Sequence, residues 1–127
     1  MTKVLVAWCS TLIGLAACST STAPVCTQEF RPGLAVYVND SLTNAGTASG
    51  ASLVVRDGNY KDSVAAPGAR PDLNTFPMFA AGERAGTYQV TVTKTGYAAW
   101  VKNDVRVTAN QCHVNTVTLT ALLQPTS

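Results

Sequence analysis

Thr87-Tyr88-Gln89-Val90-Thr91-Val92-Thr93 alternates polar and apolar side chains without a break. Successive side chains on a strand point to opposite faces. Tyr88, Val90 and Val92 therefore share one face, and Thr87, Gln89, Thr91 and Thr93 share the other. A helix would scatter both sets around its axis, so a period of two argues for a half-buried strand. Gly86 precedes the run and Gly96 follows it, as turn residues do.

The same period recurs on both sides. Leu34, Val36 and Val38 form a run that ends at Asn39-Asp40. Ala51 to Arg56 is closed by Asp57-Gly58-Asn59, a hairpin-turn signal. Asn59 to Ala65 returns and stops before Pro67-Gly68. Thr75 to Ala81 is less regular, and Pro77 within it argues for a sheet edge. Val105, Val107 and Ala109 alternate with Arg106 and Thr108. Val117, Leu119, Ala121 and Leu123 alternate with Thr116, Thr118 and Thr120. Seven runs with short turns and no convincing helix predict an all-β fold. Its form is a seven-stranded antiparallel Greek-key-type β-sandwich over residues 26–123, with a tail at 124–127. The one long loop, Ala66 to Asn74, either carries a binding surface or merely crosses between the sheets.

The chain begins differently. Met1-Thr2-Lys3 is a minimal basic segment, and Val4 to Leu15 is an apolar run broken at Ser10-Thr11. The run fits the ~7–15 residues of a signal peptide and falls short of the ~20 that span a bilayer. Leu15-Ala16-Ala17-Cys18 closes it with the pattern of a bacterial lipobox. The expectation is a signal peptide at 1–17, an acylated Cys18 and a Ser/Thr-rich tether at 18–25. Membrane lipid is then a partner through Cys18. The competing readings are an ordinary secretory signal and a retained span. Diacylglycerol and an amide-linked chain on one residue exceed the two-signal requirement for stable anchoring. Ser19, rather than Asp, after the cysteine favours the outer over the inner membrane of a Gram-negative envelope.

Cysteine usage agrees with an exported chain. Cys9 leaves with the signal peptide and Cys18 is acylated, so Cys26 and Cys112 remain. An even pair in an oxidising compartment predicts a disulfide. Charged residues are 13% of the chain, against ~25% in ordinary soluble domains. Without Lys3 the mature chain carries eight basic and seven acidic side chains, which gives no reason to expect a nucleic-acid partner.

Gly86, Tyr88, Val90, Val92, Gly96 and Tyr97 reproduce a G-x-Y-x-V-x-V-x-x-x-G-Y pattern. With Glu83-Arg84-Ala85, Val105-Arg106-Val107 and Cys112-His113-Val114, it resembles the carboxypeptidase regulatory-like, or transthyretin-like, sandwich domain of bacterial lipoproteins. The resemblance runs from about Cys26 to Leu123 and implies a sandwich fold; its motif is structural and says almost nothing of activity. Gly96 is expected at a positive φ, and Tyr97 is expected to bury its ring with the hydroxyl bonded nearby. The stretch from Asn44-Ala45-Gly46 to Val54 departs most from the pattern.

No catalytic, metal or cofactor site is expected. Lys94-Thr95-Gly96 matches a box of penicillin-recognising enzymes but lacks the S-x-x-K and S-D-N elements in the mature chain. His113 is the lone histidine and is expected as a strand residue beside the disulfide. The hydroxyisourate hydrolases of the transthyretin fold carry several histidines and a Tyr-Arg-Gly-Ser terminus; this chain has neither. Asp57, Asn59 and Asp62 lack the spacing of a calcium loop. Tyr97 and Trp100 are the candidate ligand surface, for glycan or peptide. The leading expectation is a non-catalytic cell-envelope lipoprotein with an interaction domain whose protein or glycan partner is unidentified. A small-ligand binder is the alternative.

Overall fold

The computed structural model describes Cys18 and residues 22–127. The expected signal peptide and tether residues 19–21 lie outside the described residues. Seven strands follow in order: β1 (Pro32–Asp40), β2 (Ser52–Asp57), β3 (Tyr60–Ala65), β4 (Met78–Gly82), β5 (Gly86–Thr93), β6 (Trp100–Val107) and β7 (Val117–Leu123). They build two sheets, one ordered β4-β1-β7 and the other β3-β2-β5-β6. The chain is the all-β sandwich that its alternation predicts.

The inner faces are the predicted ones. Tyr88, Val90 and Val92 of β5 meet Leu53 and Val55 of β2 on one side. Leu34, Val36, Val38, Ala121 and Leu123 face them from the other sheet, and all of these are fully buried. Each buried Val or Leu contributes about 1.5–3 kcal/mol relative to an exposed one. Tyr88 brings a hydroxyl into this core. It donates to the Arg84 carbonyl at 2.8 Å and accepts from Arg84 Nη1 at 2.9 Å, so its polar atom is satisfied. The same guanidinium pairs with Asp57 Oδ2 at 2.8 Å and stacks 4.0 Å over the Tyr60 ring.

Local chemistry sets the turns. Asp57 pairs with Tyr60, which leaves the two-residue hairpin loop Gly58-Asn59. Gly58 supplies φ +56° there, and Gly96 takes φ +85° before Tyr97. Before β4 the chain makes a 3₁₀ turn at Pro71–Thr75 within and just beyond the predicted loop. Pro77 thus precedes β4 rather than interrupting it, and β4 is an edge as expected.

Two features differ from the alternation reading. The pairing is antiparallel except between β1 and β7, which run parallel from Leu34↔Val117 to Asp40↔Leu123. Strand β6 starts at Trp100 and ends at Val107; Ala109 instead makes an isolated bridge to Val114. The register shifts opposite Tyr88/Val90, and Asp104 sits at φ +56°. A bulge of this kind erases the period of two from the first half of the strand.

Candidate functional site

The described residues on which the sequence expectations converge lie at three places. The first is where the chain enters the domain. Cys26 and Cys112 form a disulfide across 86 positions. Asn110 Oδ1 accepts the N–H groups of Cys112 and His113 at 2.8 and 2.9 Å, a side-chain-made turn. His113 therefore lies in a bend outside the named strands, which corrects the expectation of a strand residue.

Its side chain is mostly buried and fully engaged. Nδ1 lies 2.8 Å from Glu83 Oε1. An ionised carboxylate only accepts, so Nδ1 carries the proton. Glu83 Oε1 also accepts the Arg31 N–H at 2.7 Å. The Arg31 N–H first, and His113 next, hold the Glu83 carboxyl below its ordinary range. Nε2 is 3.1 Å from both the hydroxyl and the carbonyl oxygen of Thr27. A neutral ring accepts from the hydroxyl; an imidazolium donates to the carbonyl. The clamp is bonded in either state. Hydroxyl, imidazole and carboxylate stand in the order of a nucleophilic relay. Here the carbonyl of the same threonine meets the same nitrogen, and the three side chains fasten the entering segment to β4 and the Cys112 loop.

Tyr97 and Trp100 form the second place. The Tyr97 hydroxyl donates to Asp40 Oδ2 at 2.9 Å, and the ring is half-buried. Asp40 Oδ1 also accepts the N–H groups of Thr43 and Leu42. These amides, with a smaller part from Tyr97, hold its carboxyl below the usual range. Lys94 Nζ donates to Thr47 O, Thr47 Oγ1 and Ser49 O at 2.7–2.8 Å. Burial draws this ammonium below its usual range, and the three oxygens oppose that. Lys94-Thr95-Gly96 is thus a turn whose lysine ties down the 47–49 segment. Trp100 pairs with Val92 at the start of β6 and packs half-buried against the core. Both aromatics hold structure together.

The third place is the Ala66–Asn74 loop. Asn74 Oδ1 accepts the Ser49 N–H at 2.7 Å, and Ser49 Oγ accepts the Arg70 N–H at 2.9 Å. So anchored, the loop roofs a groove of about 290 Å³ between β3 and β4. Ala48, Val64, Ala66, Leu73, Phe76 and Met78 are among the residues of its wall, which is mostly carbon. Nothing local marks Phe76, because it falls in the least regular run, next to Pro77.

Asp57 and Asp62 are used elsewhere: Asp57 pairs with Arg84, and Asp62 Oδ2 accepts the Ala81 N–H at 2.9 Å. Among the described residues, no three His, Cys, Asp or Glu side chains are grouped as metal ligands. No protein-family model matches the chain, and no curated protein matches it either.

Proposed function

We propose that this chain is a lipid-anchored cell-envelope protein whose sandwich is a non-catalytic accessory or interaction domain. The observation that carries the reading is the spacing of two cysteines. Cys18 ends a lipobox-like segment, and Cys26, eight residues on, is bonded to Cys112. A disulfide suits a compartment outside the cytosol, and acylation of Cys18 would place the domain at a bilayer. Eight residues reach at most about 28 Å, so the domain would stay close to the lipid. Its motif likeness to carboxypeptidase regulatory-like lipoprotein domains is in keeping with an accessory role.

Intact mass of the membrane-extracted protein tests this. Cleavage before Cys18, added acyl mass and the loss of two hydrogens are expected together. An unacylated chain, or one cut elsewhere, refutes the anchor.

The groove beside Phe76 favours a second reading, a binder of small apolar ligands or peptides, since a concave, carbon-lined wall suits such ligands. Thermal-shift screening would then find a stabilising compound whose effect disappears in Phe76→Ala. A Phe76→Ala variant that keeps the shift sinks this reading.

A further inference from the structure

The chain has three phenylalanines, and none is in the core. Phe30, Phe76 and Phe79 are 72, 63 and 53% exposed, whereas the core is built from Val, Leu, Ala, Met and a single Tyr. Large aromatics normally go inside. Their exclusion from a core with room for Tyr88 makes their placement a property of the surface.

They are also contiguous. Phe30 and Phe79 flank one concavity with Pro32, and Phe79 and Phe76 line the groove at the other end of β4. The Phe30 ring occupies the place where a Cβ on Gly82 would be. From Phe79 the register carries the surface across the outer face of the three-stranded sheet. Phe79 lies opposite Ala35, and Ala35 opposite Thr118. Tyr37 lies opposite Thr120, and Asn39 opposite Leu122. None of these paired residues carries a charge. Tyr37 and Leu122 are 36 and 48% exposed. An uncharged aromatic face of this extent marks an interaction surface.

The occupant follows from where the chain leads. Phe30 is four residues after Cys26 and twelve after Cys18. The disulfide and the His113–Glu83–Arg31 contacts fix this segment beside β4. The patch therefore lies at the side of the domain from which the short tether departs. Resting on the lipid-anchor reading above, we propose that Phe30, Tyr37, Phe79 and Leu122 lie against the bilayer. The three-stranded sheet would rest flat on the lipid and the four-stranded sheet would face away. Aromatic rings with neutral threonines between them suit the headgroup–acyl boundary. The nearby arginines are paired, Arg31 with Glu29 and Arg70 with Asp72, so attraction to anionic lipid plays no part.

The test uses the full-length protein, processed in cells, extracted and reconstituted into phosphatidylcholine vesicles with brominated acyl chains. Its native Trp100 lies in the four-stranded sheet. A second protein, Phe79→Trp with Trp100→Phe, moves the reporter to the proposed contact. Quenching at position 79 should exceed that of Trp100 by roughly threefold, with a blue-shifted emission. Phosphatidylglycerol and salt should leave it unchanged. Phe30→Ser added to this variant should reduce it, and the exposure of Phe30 keeps folding intact. Equal quenching at the two positions in a chain whose mass shows acylation overturns the orientation and spares the anchor. Protection of position 79 by self-association without quenching overturns it in favour of a second copy. A mass without acyl chains overturns the anchor and this orientation together.

Discussion

The outer face of the four-stranded sheet sets Arg56 beside Lys61 and Gln89, and Arg106 beside Thr87. Gln89 Nε2 donates to Asn103 Oδ1 across the bulge. The outer face of the three-stranded sheet sets Phe79, Ala35 and Thr118 in one row and Tyr37 with Thr120 in the next. The inner faces are alike, with fully buried valine and leucine on both sides. The difference is therefore confined to the faces that folding leaves free. Core formation needs only one apolar side per sheet, so the exposed aromatic and apolar side chains on the uncharged second side of β4-β1-β7 answer to something other than stability.

The largest predicted effect is on what holds the three-stranded sheet to the entering chain. Cys26→Ser with Cys112→Ser should lower unfolding free energy by about 4–5 kcal/mol in the chain-entropy account. Equilibrium denaturation measures it. A loss under about 1 kcal/mol would mean that the His113 clamp alone suffices to fasten residues 26–31.

Next come the inner faces. Leu34→Ala in the three-stranded sheet and Leu53→Ala in the four-stranded sheet should each cost about 2–5 kcal/mol, with similar denaturation midpoints. Both side chains are wholly buried in one cluster. A large disparity would show that the two sheets are unequal inside as well as outside.

The smallest stability effects separate the outer faces most sharply. Thr91→Lys on the four-stranded face and Thr120→Lys on the three-stranded face should each change stability by less than about 0.5 kcal/mol. Only Thr120→Lys should reduce the brominated-lipid quenching of a tryptophan at position 79. If the two lysines act alike in that assay, the faces are equivalent and the contrast loses its functional meaning.

The inner faces were legible because period two is a local signal: Tyr88, Val90 and Val92 announce their common face within five residues. The Gly58-Asn59 hairpin and the Gly96 turn were legible for the same reason, since a backbone requirement selects the residue in place. The Cys26–Cys112 pairing followed from counting. Strand direction was not legible, because alternation is identical whether β7 runs with β1 or against it. Nor was the first half of β6, where the bulge beside Asp104 breaks the period. The Glu83–His113–Thr27 clamp joins residues 30 and 86 positions apart, and nothing local marks either. The aromatic face stayed hidden because its members come from the entering segment and three separate strands. Tyr97 and Trp100 drew attention as aromatics, yet Tyr97 spends its hydroxyl on Asp40 and Trp100 packs against the core.

The parallel pairing of β1 with β7 also bears on timing. A polypeptide that emerges amino end first, from a ribosome or through a pore, exposes Leu34, Val36 and Val38 long before Val117 to Leu123 exist beside them. The opening strand must wait, with one flank vacant, until residues 117–123 have appeared. Such distant closure slows compaction, so the three-stranded sheet closes only after a long stretch of intervening chain has already emerged.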